Sequence, residues 1–406
     1  MANKKKVRAS VPKGVGYQDK KNQSERSRKG GISRRADHLF GAVTGDIDYT
    51  FFFLIILVLS FGMVMLLSAS TPAASRIYNN SYYFFIKQMV FVVIGLIGMY
   101  VLSRIDYRSY KKFVPMFMVI CTVLLILVAI PGIGQEHNGS RRWLPIPGTQ
   151  LQPSELMKLA IAMYFALSVE RGKYDITKLS QNLPYAGIIG FIFFLMMLEP
   201  HLSGALVIAG VAVSILIVGG TPVKPIIGAG LIGAPLGAFC LYKFDAVRWA
   251  RITSFLDPFA DPQKTGYQIT QALYAIGSGG IFGRGLGQSI QKRTYLPEPY
   301  NDFIFAVICE ELGLVGAIAV IGLFALLVLR GIKIAMNAQD TYGTLLVVGI
   351  MAQIAIQAVL NISVATSSIP NTGVALPFFS YGGTSIMVLL LEMGIVLNVS
   401  RNQIKK

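Results

Sequence analysis

The stretch YQITQALYAIGSGGIFGRGLGQSIQKRTYLPEPYNDFIFAVICEELGLVG, residues 267–316, changes from polar to apolar within a few residues. It is polar and rich in glycine up to Asn301, and from Phe303 onward it has the pattern of an apolar helix. Pro297 and Pro299 oppose helix just before this change, because proline lacks a backbone donor and biases its predecessor to extended geometry. We therefore predict that Asp302 lies just outside the start of a membrane helix. A helix N-terminus favours negative charge there, at the water–lipid boundary.

The composition is that of a polytopic membrane protein. Apolar residues make up 53% of the 406 residues and charged residues only 14%. The net charge is +17, but 12 of the 37 Lys and Arg lie in the first 35 residues, where a basic tail facing anionic lipid explains them. No basic patch combines with aromatic residues in a soluble domain, so we expect no nucleic-acid partner. The three cysteines lie in apolar runs without metal-ligand spacing and are predicted to be core residues.

The predicted fold is an all-α polytopic membrane protein with about ten transmembrane helices. Apolar runs of roughly 17 to 25 residues predict them, near 50–70, 83–103, 113–131, 153–170, 185–199, 202–219, 223–242, 303–330, 343–363 and 383–400. Short cation-rich connections at 104–112, 171–184 and 330–342 place both termini in the cytoplasm by the positive-inside rule. A large extracytoplasmic loop, residues 243–302, then joins helices seven and eight.

Three regions follow from this division. Residues 1–46 are predicted to be a disordered, basic cytoplasmic tail, because they contain no apolar periodicity. Residues 47–400 form the membrane domain, beginning with a signal anchor, and residues 401–406 are a short cytoplasmic C-terminus. The predicted location is the cytoplasmic membrane.

Glu155 and Lys158 stand three residues apart on one helix face in the fourth predicted span, after Gln152 and Pro153. Charged groups inside a span are costly and usually face a cavity or each other. The pair is therefore either a structural ion pair or part of a cavity wall. In the second case Gln152, Glu155 and Lys158 are candidate substrate contacts, and Lys158 would contact phosphate or hydroxyl groups.

The long loop, residues 243–302, is basic although it is predicted to face outward. The positive-inside rule therefore does not explain its cations. Arginine's rigid fork suits diphosphate oxygens, and glycine lets backbone amides approach them. Candidate substrate contacts in this loop are Arg248, Arg251, Arg284 and Ser289. Half of the cations alternatively decorate a solvated face. Lys292 is expected to lie in the middle of the loop, farther from the membrane than Arg251. The Gly283–Gly287 segment follows no βαβ pattern, so we reject a dinucleotide site.

The segment Pro370–Ser385 is rich in glycine, serine, threonine and asparagine, yet it lies between two apolar spans. Irregular backbone at membrane depth is tolerated only where it is buried in protein or lines a wet cavity. We predict a re-entrant wall of the site, with Asn371, Thr372 and Ser380 contacting sugar or phosphate or making structural hydrogen bonds. Asp302, by its position alone, is more often an N-cap than a catalyst.

Several of these segments together resemble the SEDS (shape, elongation, division and sporulation) family. The matching segments are Gln152-Pro153-Ser154-Glu155 with Lys158, Arg251 to Pro262, the stretch quoted first, and PNTG at 370–373 leading to FSYGGTS at 379–385. The basic tail and FFSYGGTS favour the FtsW branch over RodA. Glu199-Pro200-His201 departs from the family pattern, which commonly has an acid in place of the histidine, so no role for that acid carries over.

The resemblance implies a peptidoglycan glycosyltransferase that polymerises lipid II at the outer face of the bacterial cytoplasmic membrane. It implies Asp302 of the P-E-x-x-x-D-F-I-F pattern as general base, and Arg251 and Lys158 as diphosphate contacts. It also allows a divalent cation, Mg²⁺ or Mn²⁺. The implied partners are a class B penicillin-binding protein and other divisome or elongasome membrane proteins. A lipid II flippase and a non-catalytic scaffold for a partner synthase are the alternatives.

Overall fold

The structure is a computed structural model that describes residues 45–137, 140–146, 149–172, 179–244, 249, 253, 255–260 and 266–402. Every statement below concerns these residues. The predicted basic tail, apart from its last two residues, lies outside them, as do Arg248, Arg251 and the last four residues.

The described chain is mostly helical. Its α-helices are α1 Tyr49–Tyr78, α2 Tyr83–Arg104, α3 Val114–Ala129, α4 Pro153–Glu170, α5 Leu183–Leu198, α6 Leu202–Val218, α7 Val223–Phe244, α8 Tyr267–Gly279, α9 Gln291–Thr294, α10 Ile304–Met336, α11 Thr341–Ala365 and α12 Gly383–Arg401. Two 3₁₀ helices, η1 Tyr107–Lys112 and η2 Leu179–Asn182, precede α3 and α5. Helices suit apolar runs in lipid because they satisfy every backbone polar group internally.

A small antiparallel sheet lies between α3 and α4. Its strands are β1 Gln135–His137, β2 Ser140–Ile146 and β3 Thr149–Leu151, in the order β1-β2-β3. It packs against α3 and the start of α4. The sheet therefore covers the end of the bundle at which α4 begins.

Packing of α10, α11 and α12 joins the other long helices of the bundle. Helix α10 packs on α1, α8 and α11, α11 packs on α4 and α6, and α12 packs along α2. In their most apolar 18 residues, α12 is 78% buried and α2 is 22% buried. Helix α2 therefore presents most of its surface to the surroundings.

Five helices, α1, α2, α10, α11 and α12, are long and apolar enough to cross a membrane by length and composition. Three shorter apolar helices, α3, α5 and α6, accompany them. Each of the ten predicted spans coincides with a helix, from α1 to α7 and from α10 to α12. The polytopic membrane architecture is thus supported, while the count of ten spans stays a prediction.

The first part of the quoted stretch differs from the predicted polar loop, because residues 267–279 form α8, which packs against α10. Helix α10 is itself interrupted at Gly313, whose φ is 67°. The loop after α8 fills this break: Arg284 N and Gly285 N donate to the carbonyls of Glu310 and Glu311, and Leu314 N donates to Gly280 O. The backbone groups freed by the break are thereby satisfied.

Candidate functional site

Asp302 lies immediately before α10. The N-cap is Phe303, and no side-chain hydrogen bond caps this helix. The side chain instead faces the segment between α11 and α12, since a Cβ atom built on Gly373 would lie 3.2 Å from Asp302 Oδ2. Gly373 has φ 67°, a conformation that suits glycine. The carboxylate therefore lies against a glycine turn of the predicted wall.

Hydrogen bonds join the wall to the residues that directly precede Asp302. Residues 366–382 form no helix between α11 and α12. Ser380 Oγ donates to Asn301 O at 2.6 Å and accepts from Leu376 N at 2.8 Å, and Tyr381 N donates to Tyr300 O at 2.9 Å. Ser380 thus has two backbone partners on the two segments that form the site.

Asn361, in α11, was not among the predicted site residues. Its side chain is buried, and Nδ2 donates to Asp302 O at 2.8 Å and to Val374 O at 2.7 Å. One amide group therefore fixes the backbone of Asp302 to that of the wall. The signal in the sequence is a polar amide inside a predicted span, which is costly unless it has partners.

Asn371 and Thr372 precede Gly373 in the wall. Asn371 Nδ2 donates to Gln268 Oε1 at 3.0 Å, and its Oδ1 accepts from Gly373 N at 3.3 Å. Thr372 Oγ1 is buried without a hydrogen-bond partner. Both residues directly precede the glycine that faces Asp302, and Thr372 retains hydrogen-bonding capacity.

Glu155 and Lys158 form an ion pair at 2.8 Å at the start of α4, with the Lys158 side chain only 3% exposed. Glu155 Oε2 also accepts from Ser385 Oγ at 2.7 Å. Gln152 is the N-cap residue of α4 and makes no side-chain cap bond. The structural ion pair is therefore present, and it is attached to the end of the wall.

A cavity of about 20 Å³, room for about one water molecule, lies between this pair and the wall. Glu155, Ser380, Ser385 and the α11 residues Gln353 and Gln357 line it. Sequence analysis missed the two glutamines, and it also missed Glu392, fully buried in α12, which accepts from Gln353 Nε2 at 2.9 Å. Polar residues inside apolar spans were again the available signal.

His201, in the departure from the family pattern, is buried between α5 and α6. Its Nδ1 has no hydrogen-bond partner. Burial and the charges of Arg142 and Lys158 lower the pKa of His201 well below its usual value, so the imidazole is neutral. A neutral histidine cannot reproduce the negative charge that an acid would place beside Lys158.

Aromatic rings pack together beside the chain segment that directly precedes Asp302. Tyr300 stacks on Phe84 with ring centroids 4.5 Å apart, and Tyr381 contacts both rings edge-on. Burial, with the nearby Glu298 and Tyr78, raises the pKa of Tyr300 to about 12. Its hydroxyl stays protonated at neutral pH.

The remaining predicted residues lie in a second cluster around the break in α10. Ser289 is fully buried, and its Oγ donates to Glu310 Oε2 at 2.5 Å. Lys292, expected in the middle of a loop, lies in the short helix α9, where it is buried and pairs with Glu311 at 2.5 Å. Only Arg284, with a side chain 38% exposed and 3.8 Å from Glu310, is accessible among these residues. This cluster is separate from the Asp302 group.

The chain matches known proteins over most of its length. The FtsW, RodA and SpoVE family, described as "Cell cycle protein", matches residues 48–405. The protein named "Probable peptidoglycan glycosyltransferase FtsW" of Trichlorobacter lovleyi is 41% identical over 87% of this chain and 93% of its own. Stage V sporulation protein E of Bacillus subtilis is 42% identical over 86% of this chain and 95% of its own.

Solved structures agree with these sequence relatives. A chain of the structure described as "Structural coordination of polymerization and crosslinking by a peptidoglycan synthase complex" has a TM-score of 0.75 and 27% identity, covering 87% of this chain and 98% of that one. The rod shape determining protein RodA of Thermus thermophilus has a TM-score of 0.66 and 27% identity, covering 89% and 98%. The chain therefore belongs to the FtsW, RodA and SpoVE family of cell cycle proteins.

Proposed function

We propose that this protein is a peptidoglycan glycosyltransferase that polymerises lipid II into glycan strands at the outer face of the cytoplasmic membrane during cell division. The observation that carries the proposal is the Asp302 carboxylate beside an irregular wall at one end of an apolar bundle. Relatives at about 40% identity named peptidoglycan glycosyltransferase support the activity. A substrate with a lipid tail and a sugar head fits an acid placed beyond the end of membrane helices.

In the proposed reaction Asp302 is the general base. The 4-hydroxyl of the incoming lipid II's outer sugar attacks the anomeric carbon at the end of the growing strand. An oxygen–carbon bond forms, the bond from that carbon to the polyprenyl diphosphate breaks with inversion, and the hydroxyl proton passes to Asp302 and then to water. Asn361 holds the backbone of this base in place.

Cations are needed where the leaving diphosphate develops charge. We assign this role to Lys158, which lies beside the wall, and to Arg251, which is outside the described residues. Lys158 is paired with Glu155, so substrate would have to share it. The electrostatic contribution of such a contact is strongest when water is excluded.

In the part of the chain that the structure describes, no three His, Cys, Asp or Glu side chains group as metal ligands. Protein side chains alone therefore do not enclose a divalent cation there. Mg²⁺ is commonly held by one or two carboxylates with substrate phosphates completing its shell. Asp302 fits that mode of binding. A bound Mg²⁺ or Mn²⁺ would supply charge neutralisation at the diphosphate.

The orientation that we propose places Asp302 outside and both termini in the cytoplasm. The ion pairs of Arg108 and Lys111 with Asp340, and of Arg330 with Asp48, lie at the opposite end of the bundle. This distribution follows the positive-inside rule. A class B penicillin-binding protein as partner is supported by the similarity to a chain of a complex described as coordinating polymerization and crosslinking.

The interruption of α10 bears on the flippase alternative, because discontinuous helices mark substrate sites in transporters. Here the loop after α8 occupies the break and bonds to its backbone. The Glu310 and Glu311 side chains beside it are likewise bonded, to Ser289, Ser68 and Lys292. The backbone and side chains at the break thus bond to the protein itself and, among the described residues, leave no open substrate site there. We therefore prefer polymerisation to transport.

The purified protein should convert lipid II into glycan strands, and Asp302→Asn should abolish this conversion. General-base assistance contributes about 10² to 10⁴-fold. Because Phe303, not Asp302, is the N-cap, the melting temperature should change little. Glu298→Gln, an exposed acid four residues earlier, is the matched control and should retain activity. Glycan synthesis by Asp302→Asn at the wild-type rate would refute this mechanism, and lipid II flipping without synthesis would favour the transporter.

A further inference from the structure

Two polar contacts between α1 and α10 mark the limits of an apolar layer. At one end Arg330 pairs with Asp48 at 2.9 Å, and at the other Ser68 Oγ donates to Glu311 at 2.7 Å. The contacts are twenty positions apart on α1 and nineteen on α10, which is about 30 Å of helix. No charged residue lies between them on either helix. This spacing equals the thickness of a bilayer's hydrocarbon core, about 30 Å.

Asp302 lies beyond this layer. The helix from Ile304 to Glu311 and the turn before it place Asp302 roughly 12 Å above the level of Glu311. The sequence alone suggested the water–lipid boundary for Asp302. The contacts of α1 instead put Glu311 at that boundary and Asp302 farther into the water phase.

Arg284 lies at the boundary itself. Its backbone N donates to Glu310 O at 3.0 Å, and Gly285 N donates to Glu311 O at 2.9 Å. The neighbouring apolar side chains on the loop are strongly exposed, with Phe282 at 83% and Ile281 at 61%. They adjoin Leu314, 55% exposed, on the hydrocarbon side of the break. A cation therefore stands at the headgroup level directly above an exposed apolar surface.

The contact between Arg284 and Glu310 does not account for this arrangement. Glu310 already accepts from Ser289 Oγ at 2.5 Å and from Ile290 N at 2.9 Å, whereas Arg284 Nε lies 3.8 Å away and donates instead to Ser278 O at 3.3 Å. The Arg284 side chain is 38% exposed, and its two terminal amino groups are the donors that a phosphate would meet. Its charge and its planar fork suit phosphate oxygens, and the apolar side chains beside it suit a prenyl chain.

The donor strand and the acceptor lipid II each carry a diphosphate. The dimensions of lipid II indicate which of the two would lie at the level of Arg284. In the proposed reaction the attacked anomeric carbon carries its diphosphate directly, so the donor's diphosphate is at the level of Asp302 when the bond forms, and its first prenyl units are drawn out of the hydrocarbon layer. The attacking hydroxyl is instead two sugar rings away from its own diphosphate. With single bonds of about 1.5 Å, two rings span about 10 Å, close to the rise from Arg284 to Asp302.

We propose that Arg284, with Ile281 and Phe282, binds the diphosphate and first prenyl units of the acceptor lipid II. This inference rests on the proposed function and adds that the acceptor and the donor bind at different levels of the protein. The acceptor is held at the membrane boundary, and its disaccharide reaches up to the base. Asp302 and the donor strand meet it above the headgroups.

The test varies the two substrates separately on the purified full-length protein. A preformed glycan strand on polyprenyl diphosphate is held at saturation while lipid II is varied, and then the reverse. Arg284→Gln should raise the KM for lipid II roughly 10- to 100-fold, the loss of a charge-assisted contact, with little change in the KM for the strand or in kcat. Arg284→Lys should recover part of the loss, and Arg293→Gln, an exposed cation of the same loop, should change neither.

A second measurement is independent of turnover. With p-benzoylphenylalanine in place of Phe282, irradiation in vesicles of phosphatidylglycerol with added lipid II should label lipid II preferentially. Equal effects of Arg284→Gln on both substrates, the same effect from Arg293→Gln, or labelling of phosphatidylglycerol alone would overturn the proposal. A wild-type protein that makes no glycan would instead contradict the proposed function, and labelling of lipid II would still report on this site.

Discussion

Asp302 owes its position to its backbone contacts. The Asn361 amide holds the carbonyls of Asp302 and Val374, and Ser380 holds the carbonyl of Asn301. Both supporting side chains are buried, so neither can exchange these bonds for water without opening the site. A general base must be held within hydrogen-bond reach of the proton it takes. We therefore regard Asn361 as a positioning residue for Asp302.

Asn361→Leu, whose side chain has the same number and branching of heavy atoms, should lower polymerisation and stability together. It leaves two buried carbonyls without their donor, which costs about 1 to 3 kcal/mol. The Asp302 backbone then loses one of its fixed points, so kcat should fall more than KM rises. Thr344→Val is the control, because it removes a hydroxyl–carbonyl bond at the other end of the same helix. Kinetics and melting temperatures of both variants check the prediction, and an unchanged kcat for Asn361→Leu would contradict it.

The sequence predicts where individual polar residues lie in the helices better than it predicts which groups they contact. The two prolines placed Asp302 at a helix start, and the spacing of Glu155 and Lys158 predicted a pair that the structure contains. Asn361, Gln353 and Glu392 were missed because their partners lie 13 to 59 residues away in the chain. No local pattern indicates which backbone such a side chain will meet.

Among the elements, the interrupted helix α10 connects the two clusters. Gly313 sits at the break with φ 67°, and the loop after α8 passes so close that a Cβ atom there would lie 2.4 Å from both Gly283 N and Ile281 O. Only glycine combines this φ with that approach at low cost. The break therefore depends on a glycine in each of the two segments, since Gly283 also has positive φ, 79°.

Gly313→Ala should destabilise the protein and displace the loop that carries Arg284. The new methyl group meets backbone atoms, which cannot move aside as a flexible side chain can. Gly322→Ala, in the same helix with nothing within 4 Å of its added Cβ, is the control. It should be neutral or stabilise by up to about 1 kcal/mol, the helix preference of alanine over glycine. Melting temperatures in detergent test the pair, and equal values for both variants would show that the break carries no strain.

The element boundaries were predictable where apolar runs were long, and not around this break. A polar, glycine-rich stretch typically predicts a loop, but α8 has buried residues such as Ile269 and Ala272 facing α10. The interruption at Gly313 was not predicted, because a single glycine between Leu312 and Leu314 is also compatible with a continuous helix. Its cause lies in the hydrogen bonds to residues 280–285, which sequence periodicity does not report.

The whole molecule has a different polar network at each end, with an apolar layer between. At the end opposite Asp302, Asp340 joins η1 to the start of α11. Tyr107 Oη donates to Asp340 at 2.6 Å, Arg108 Nε at 3.1 Å and Lys111 Nζ at 3.4 Å. Lys111 also pairs with Glu170 at the end of α4, at 2.6 Å. Three helical elements are thereby held together on the side that we propose to be cytoplasmic.

This network predicts a pH-dependent contribution to stability. Burial raises the pKa of Asp340, but the bonds from Tyr107 and Gly343 N and the charges of Lys111 and Arg108 outweigh it, so the pKa lies below its ordinary 3.8. A carboxyl with a lowered pKa stabilises the fold above its unfolded pKa, and this stabilisation disappears as the pH falls through the folded value.

Asp340→Asn should therefore lower the melting temperature at pH 7, because asparagine keeps the N-cap of α11 but loses the charge that binds Arg108 and Lys111. Hydrogen bonds to charged groups contribute about 1.5 to 3 kcal/mol. The difference from the wild-type protein should stay constant from pH 7 to about 5 and shrink below about pH 4. Glu136→Gln, which breaks an exposed pair with Arg141, should cost less than about 1 kcal/mol. A difference for Asp340→Asn that did not decline at all between pH 5 and the lowest pH at which the protein stays folded would show that shape, and not charge, joins this end of the bundle.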